Sequence, residues 1–149
     1  MNHNKFMKLA LKEAKKAVKK DEVPVGAVIV REGKVISRAF NLREKSNLAI
    51  GHAEILAIQK ANKKLKSWRL DSCTLYVTIE PCPMCAGAII QSRIKKVVYG
   101  AQDAKSGAHQ SVVNLFDLPL NHKVDVEHGI MEDECGKIIS KFFSDKRNK

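Results

Sequence analysis

An apolar strand runs directly into the start of a helix in the segment Thr74-Leu75-Tyr76-Val77-Thr78-Ile79-Glu80-Pro81-Cys82-Pro83-Met84-Cys85. Its first six residues are mostly β-branched, aromatic or otherwise apolar, which predicts a central strand over residues 74–79. Pro83 suits the first position of a helix, where its missing N–H would have no partner, so we expect a helix over residues 84–91. The two cysteines therefore lie at a helix N-terminus, three positions apart.

The chain before this segment predicts a helix, a hairpin and a second helix. Apolar side chains at helical spacing indicate an opening helix with a lysine-rich outer face, and they are Phe6, Leu9, Ala10, Ala14, Ala17 and Val18. Residues 27–30 and 35–38 flank Glu32-Gly33-Lys34 and predict a β-hairpin. A polar loop over residues 41–51 then leads to a helix with His52 and Glu54 in its first turn.

The chain after the cysteines adds two strands and a closing helix. We expect strands over residues 96–99 and 124–127, and a helix over residues 132–144. Helices interleaved with a largely buried sheet predict an α/β fold, a three-layer α/β/α sandwich with a central five-stranded mixed sheet. The length of 149 residues predicts a single domain over residues 1–149.

The charge of the chain favours a polyanionic partner. Lys and Arg number 27 against 16 Asp and Glu, a formal net charge of +11, and such an excess attracts phosphates and releases their counterions. The lysines are grouped along the first helix, through residues 60–66 and in the C-terminal tail. A solvated, solubilising surface accounts for the pattern equally well. Charge alone therefore leaves nucleic-acid binding and solubility open.

Nothing in the sequence predicts a membrane segment or export. No run approaches the roughly 18 consecutive apolar residues of a membrane span, and the N-terminal residues lack the apolar region and cleavage site of a signal peptide. The four cysteines, at 73, 82, 85 and 135, are too few and too unevenly placed for a disulfide scaffold. We expect a cytoplasmic protein in which Cys73 and Cys135 are buried.

Two motifs together predict a metal site. His52-Ala53-Glu54 precedes Pro81-Cys82-Pro83-Met84-Cys85, and one imidazole with two thiolates suits zinc while leaving a fourth position for water. The pattern H-x-E…P-C-x-x-C is the signature of zinc-dependent nucleobase deaminases, whose glutamate moves protons beside the ion. We expect one Zn²⁺ per chain, bound by His52, Cys82 and Cys85, with Glu54 as the catalytic residue.

Either motif alone would fit several kinds of site. An isolated H-x-E is common on protein surfaces, and an isolated C-x-x-C occurs in redox pairs and in structural zinc sites. A closed structural site needs a fourth ligand, for which the candidates are Cys73, Cys135, His109, His122 and His128. None of these forms a second paired motif, and the matched His-Ala-Glu weakens the redox interpretation.

Further segments match a known family, and they are Val23-Pro24-Val25-Gly26-Ala27-Val28, Trp68-Arg69-Leu70, Ser92-Arg93-Ile94, Val97-Val98-Tyr99-Gly100-Ala101 and Asp103-Ala104-Lys105-Ser106-Gly107-Ala108. With the two motifs they make the chain resemble the bacterial tRNA-specific adenosine deaminases, within the cytidine deaminase-like superfamily, over nearly its whole length. The resemblance implies a cytidine deaminase-like fold, and hydrolytic deamination of adenosine to inosine at the wobble position of tRNA. It also implies a tRNA anticodon stem-loop and a second copy of the chain, in a homodimer, as partners.

The same resemblance implies a set of substrate-binding residues, which are Asn41, Pro24, Val25, Gly26, Ala27 and Asp103. Asn41 would hydrogen-bond the base, residues 24–27 would wall the pocket, and Asp103 would contact the ribose of a flanking nucleotide. Zinc-activated water would attack C6 of a flipped-out adenine, and Glu54 would protonate N1 and the leaving amine.

Purely structural roles are possible for the same residues. Residues 24–26 can form a turn into the first strand, and both Asn41 and Asp103 can be ordinary loop or turn residues. Trp68 is expected to be a packing residue. Phe142 and Phe143 are expected to be at least half core.

The chain departs from the family directly before His52. The family usually carries Asp-Pro-Thr-Ala there, whereas this chain has Leu48-Ala49-Ile50-Gly51. The acid or hydroxyl of the family pattern can cap the coming helix, so the change bears on the cap and on the loop conformation. The metal ligands and their spacing from Asn41 are untouched.

Other functions share the core motif. A guanine, cytosine or cytidine deaminase would use the same zinc ligands and Glu54, so the tRNA interpretation depends on residues 23–27, residues 103–108 and the positive charge. A non-catalytic RNA-binding subunit could retain zinc for stability alone. The intact Glu54 argues against that alternative, because a structural site needs no extra carboxylate.

Overall fold

The computed structural model describes residues 2–148. Its helices and strands follow one another as α1 (His3–Lys19), β1 (Gly26–Arg31), β2 (Lys34–Phe40), α2 (Arg43–Ser46), α3 (Ala53–Leu65), β3 (Cys73–Ile79), α4 (Pro83–Gln91), β4 (Lys96–Ala101), β5 (Asp125–His128) and α5 (Glu132–Arg147), with a 3-10 turn at Leu115–Asp117 before β5. None of the helices between residues 2 and 148 combines the length and the apolar character that a bilayer crossing requires.

The strands form one mixed sheet in the order β2-β1-β3-β4-β5. β1 pairs antiparallel with both β2 and β3, whereas β3, β4 and β5 run parallel. Parallel neighbours need a crossover connection, and α4 provides it between β3 and β4. The carboxyl end of β3 therefore leads straight into the helix that begins with the two cysteines.

Different helices cover the two faces of the sheet. Side chains alternate along β1, so that Val28 and Val30 pack with α1 and α5 while Ala27 and Ile29 pack with α3 and α4. This arrangement confirms the predicted three-layer α/β/α sandwich around a five-stranded mixed sheet. It also places α3 and α4 side by side on one face.

Element boundaries differ from prediction mainly at chain segments fixed by distant partners. α2 lies inside the predicted polar loop, because the buried carboxylate of Glu22 accepts hydrogen bonds from the backbone N–H groups of Glu44 and Lys45 at 3.1 and 2.6 Å. α5 continues three residues past its predicted end, and Lys146 in this extension pairs with Asp21 at 2.8 Å. His52 precedes α3 as its N-cap residue and does not lie in the first turn.

Two predictions about aromatic side chains need correction. Trp68 is not a packing residue, because it is 59% exposed and its ring lies under the guanidinium groups of Arg69 and Arg93 at 5.3 and 5.7 Å. Phe142 is buried as predicted, whereas the adjacent Phe143 is 44% exposed and lines a pocket. Adjacent helical positions point about 100° apart, so both rings could not enter the same core.

Candidate active site

The two motif cysteines lie where β3 gives way to α4. Cys82 is the N-cap residue of α4, Pro83 takes the first helical position as predicted, and Cys85 follows within the first turn. His52 holds the same N-cap place before α3. Two neighbouring helix N-termini thus bring the imidazole and both thiols together, and their partial positive charge favours thiolate.

The three side chains have the spacing of ligands around one tetrahedral ion. His52 Nδ1 lies 3.6 Å from Cys82 Sγ and 3.5 Å from Cys85 Sγ. Zinc–sulfur and zinc–nitrogen bonds of about 2.3 and about 2.1 Å at tetrahedral angles require about 3.6 Å between nitrogen and sulfur. These residues therefore fit zinc in the number, type and separation of their ligand atoms.

Hydrogen bonds link the three groups. Hydrogen bonds from Cys85 and His52 lower the pKa of Cys82 to about 4, while the bond to Cys82 and burial raise the pKa of Cys85. The hydrogen bond to Cys82 likewise raises the pKa of His52. Zinc ligands bind in deprotonated form, so a zinc ion here would displace these protons.

Within residues 2–148 no fourth histidine, cysteine or carboxylate joins this cluster. His109 Nδ1 instead shares a hydrogen bond of 2.8 Å with a tyrosine hydroxyl, His122 Nε2 lies 2.7 Å from a backbone carbonyl, and His128 stacks on a tyrosine ring. Cys73 and Cys135 are buried in the two hydrophobic cores, as predicted. The described residues therefore form a three-ligand set, which is the open arrangement of catalytic zinc.

Glu54 lies beside the three ligands on the first turn of α3. It is 3% exposed, and burial raises the pKa of its carboxyl to about 7. The carboxyl is within hydrogen-bonding reach of the Cys85 thiol and lines the same pocket as His52 and Cys82. A carboxyl that titrates near neutrality can both accept and donate a proton, as general acid–base catalysis requires.

A pocket of about 520 Å³ opens over His52, Glu54 and Cys82. Its walls come from the segment after α1, the loop after β2, the loop after β4 and α5, which contributes Ile139 and Phe143. This volume is of the size that holds a small-molecule ligand. The pocket can therefore enclose a nucleobase.

The predicted substrate residues divide into two groups. Those that line the pocket are Val25, Asn41 and Asp103, and those that are buried outside its lining are Pro24, Gly26 and Ala27. Any side chain at Gly26 would overlap the backbone of α1. Gly26 therefore serves the close contact between α1 and β1.

Asn41 and Asp103 are both held by hydrogen bonds to nearby backbone. Asn41 donates from Nδ2 to the Val23 carbonyl at 3.2 Å and accepts at Oδ1 from the Arg43 N–H at 3.1 Å. Asp103 accepts from the N–H groups of Lys105 and Ser106 at 3.1 and 3.3 Å. Asp103 is therefore a turn former, and its position on the pocket wall leaves a substrate role open as well.

Sequence analysis missed Glu80, which anchors the loop of residues 103–111. Its buried carboxylate accepts hydrogen bonds from four backbone N–H groups of this loop at 2.8–3.1 Å and from the Ser111 hydroxyl at 2.5 Å. Burial raises the pKa of Glu80, but these hydrogen bonds lower it to about 2. Any side chain at Gly107 would overlap the carboxylate. The charged carboxylate thus fixes the loop that carries Asp103.

The signal for Glu80 was only partly visible in the sequence. An acid between a buried strand and Pro81-Cys82 is unusual enough to note, but its five donors are 23 to 31 positions away along the chain. Glu22 gives no comparable signal, although it is fully buried and holds α2 beside the pocket.

The unusual segment before His52 is closed by backbone hydrogen bonds. The Gly51 N–H donates to the Leu48 carbonyl at 2.9 Å, and the Leu42 N–H donates to the Gly51 carbonyl at 3.0 Å. No side chain caps the start of α3 at His52. The helix therefore begins without a side-chain cap, and His52 stands at its N-cap position.

Replacing Glu80 with Gln is expected to lower stability by about 3 kcal/mol, because an amide nitrogen would face N–H donors. The loop with Asp103 should loosen, so that KM rises more than kcat falls. Thermal melting and steady-state kinetics measure both. The carboxylate stabilises the fold above its unfolded pKa near 4.5 and loses this effect as the pH falls toward about 2. The melting difference between wild type and variant should therefore shrink on acidification.

The matched control for this variant is Glu32→Gln, an exposed acid in the β1–β2 turn. It should leave melting and kinetics unchanged. Equal melting temperatures for Glu80→Gln and the wild type at neutral pH would contradict the anchoring role.

Comparison with known proteins agrees with the geometry of the site. A family model described as MafB19-like deaminase matches residues 1–147. The tRNA-specific adenosine deaminase of Bacillus subtilis (strain 168) is 52% identical over 145 residues, which cover 97% of this chain and 90% of that protein. The tRNA-specific adenosine deaminase of Aquifex aeolicus (strain VF5) is 48% identical over 149 residues, covering 99% and 98% of the two chains.

A solved structure gives the same result for the fold. It comes from a study of A-to-I editing by tRNA:A34 deaminases, and it matches this chain with a TM-score of 0.88 and 47% identity over 90% of this chain and 98% of that one. The expected cytidine deaminase-like fold is confirmed by this match. The chain belongs to the family of tRNA-specific adenosine deaminases.

Proposed function

We propose that this protein catalyses the hydrolytic deamination of adenosine to inosine at the wobble position of a tRNA anticodon. The observation that carries the proposal is the cluster of His52, Cys82 and Cys85, together with a pocket that His52, Cys82 and Glu54 line. The relatives named for tRNA adenosine support the choice of substrate. A base that reacts at such a site must leave its stack and enter the pocket.

One zinc ion per chain would be held by His52 Nδ1 and by the thiolates of Cys82 and Cys85. Bound there, zinc would lower the pKa of a water molecule toward neutrality and so supply a nucleophile. The ligand spacing near 3.6 Å and the absence of a fourth ligand within residues 2–148 support this assignment. His52 and Cys82 reach the pocket surface, where substrate arrives.

Glu54 would carry protons through the reaction. Its carboxylate accepts a proton as the water oxygen bonds to C6 of adenine, and the resulting acid protonates N1. A second proton passes through the same carboxyl to the C6 amine, the C–N bond breaks, and ammonia leaves. Burial of Glu54 and its pKa of about 7 support both halves of this task.

Asn41 and Asp103 would orient the nucleotide from two loops that line the pocket, one after β2 and one after β4. The amide of Asn41 uses one N–H and one oxygen lone pair in hydrogen bonds to the backbone. Its second N–H and second lone pair can therefore bond to the edge of a base. Asp103 stands on the loop that Glu80 holds, so its carboxylate is preset for a ribose hydroxyl. Val25 would contact the base directly, while Pro24, Gly26 and Ala27 would support that wall from behind.

We also propose a cytoplasmic homodimer that binds the anticodon stem-loop. The net charge of +11 supports an RNA partner. Exposed apolar side chains next to the two motifs support a protein interface there, namely Leu48, Ile50 and Met84.

The test compares substrates with purified, zinc-loaded protein. We expect inosine from a stem-loop with adenosine at the wobble position, and none when that adenosine is moved to the next loop position. Guanine, cytosine and cytidine should remain unchanged. Turnover of a free base or nucleoside without turnover of RNA would overturn the tRNA assignment and favour the other deaminase chemistry of this fold. RNA binding without turnover of any of these would favour a non-catalytic subunit.

A further inference from the structure

A groove lined by lysines runs between α1 and α5. Two adjoining cavities of about 500 and about 370 Å³ form it, and they share Lys15, Ile138 and Lys141. Three acids also line it, namely Glu134, Asp21 and Asp145, and we call it the lysine groove after its seven lysines, Lys8, Lys12, Lys15, Lys19, Lys137, Lys141 and Lys146. No step proposed above uses these side chains.

Most of the positive charge in the lysine groove lacks a partner. Within residues 2–148, Lys141 pairs with Asp145 at 3.2 Å and Lys146 pairs with Asp21 at 2.8 Å, and the other five lysines form no ion pair. Concentrated unpaired charge attracts anions and holds counterions that binding can release. The groove is therefore suited to an anionic partner.

The shape of the lysine groove fits a row of charges better than one small anion. Its floor is apolar, with Leu11, Met131 and Ile138, so the alkyl stems of the lysines can pack on it while their ammonium groups reach the rim. The α1 lysines recur every three or four residues, which places neighbours about 5–6 Å apart along one side of the helix. A backbone with regularly spaced phosphates matches such a row.

The lysine groove and the candidate active site are lined by neighbouring residues of α5 and of the segment after α1. Phe142 lines the groove and the adjacent Phe143 lines the pocket, while Asp21 of the groove is two residues from Val23 of the pocket. A nucleic acid with one base in the pocket would therefore have the groove close by, along the same helix.

We propose that the lysine groove binds backbone phosphates of the anticodon stem when the wobble base of the same tRNA enters the pocket. The identity of the RNA rests on the proposed function. Attraction between the row of ammonium groups and the stem phosphates does not require turnover, so the two proposals fail separately.

The test uses two variants of the full chain with the same net charge. The groove variant combines Lys8→Gln, Lys12→Gln, Lys15→Gln and Lys137→Gln. Its control combines Lys34→Gln, Lys63→Gln, Lys64→Gln and Lys66→Gln, which are lysines at β2 and at the far end of α3 that form no ion pair with any residue from 2 to 148. Thermal melting checks that both variants fold like the wild type.

Equilibrium binding is measured for an anticodon stem-loop and for the single-stranded loop alone. The groove variant should bind the stem-loop at least about tenfold more weakly at ~0.1 M salt, with a shallower dependence of log Kd on log salt, whereas the control should change less than about twofold. The groove variant should lose more affinity for the stem-loop than for the loop alone. Equal weakening by both variants would overturn the proposal, because it would reduce the effect to bulk charge.

Two further outcomes would also overturn it. One is unchanged stem-loop affinity in the groove variant. The other is a groove variant that keeps its affinity for the stem-loop but loses affinity for anionic lipid vesicles, since the groove would then serve a membrane surface. If no RNA yields inosine, the proposed function fails, and the stem-loop binding comparison still decides whether the groove binds phosphates.

Discussion

Replacing Glu54 with Gln is expected to abolish deamination while zinc stays near one ion per chain. Gln keeps the size of the side chain and its place at the start of α3, but it cannot carry a proton. General acid–base groups contribute about 10²–10⁴-fold to rate, and Glu54 acts at two steps, so the loss should lie at the upper end of this range or beyond. Inosine formation in a wobble-adenosine stem-loop and elemental analysis for zinc measure the two effects.

The control for this variant is Glu44→Gln. Glu44 is exposed on α2, close to the pocket, and its carboxylate pairs only with the adjacent Arg43 among the described residues. It should retain wild-type turnover. Substantial activity in Glu54→Gln would remove Glu54 from the reaction, and loss of zinc from that variant would show that Glu54 acts on the metal site.

Replacing Cys85 with Ser is expected to remove both zinc and activity. A serine hydroxyl stays protonated near neutral pH, and its Cβ–Oγ bond is shorter than the Cβ–Sγ bond of cysteine. Zinc would therefore lack a third ligand beside His52 and Cys82. Turnover should fall by at least about 10³-fold, because a water whose pKa is no longer lowered is a poor nucleophile at neutral pH. Added zinc should stabilise the wild type against heat but not this variant.

Cys73→Ser is the matched control, because Cys73 is equally buried but lies in the hydrophobic core at the start of β3. It should lose some stability while keeping its zinc and its activity. A Cys85→Ser protein that retained one zinc and normal turnover would contradict the assignment of Cys85 as a ligand.

The cluster of His52, Cys82 and Cys85 could be predicted because local geometry determines it. Cys82 and Cys85 share one helix start, and the strand pattern before them locates that start to within a residue. His52 belongs to a second helix start, and only the pairing of two short motifs indicated that the helices would meet. The α/β sandwich followed for the same reason, since strand and helix periods are local properties of the chain.

The pocket walls could be predicted only in part, because distant hydrogen bonds shape them. Glu80 fixes a loop more than twenty residues away, and Glu22 fixes α2 across a similar separation. No periodic pattern records such partners. The spacing of residues in the sequence also could not show that Val25 faces the pocket while Gly26 packs against α1.

Trp68 illustrates the same limit on the surface. Large aromatic side chains are usually buried, which predicts a packing role. In the structure two arginines, Arg69 and Arg93, approach its exposed ring instead, and Arg93 comes from the turn after α4. A contact between residues so far apart in sequence depends on the finished fold.

Wobble deamination is tested most directly by locating the product and the origin of its oxygen. Zinc-loaded protein is incubated in ¹⁸O-labelled water with a stem-loop whose loop carries one adenosine at the wobble position and one elsewhere, and the digested RNA is examined by mass spectrometry. Labelled inosine at the wobble position alone, with an equal amount of ammonia, is the predicted result. An unaltered stem-loop, or inosine formed equally at both positions, would contradict it.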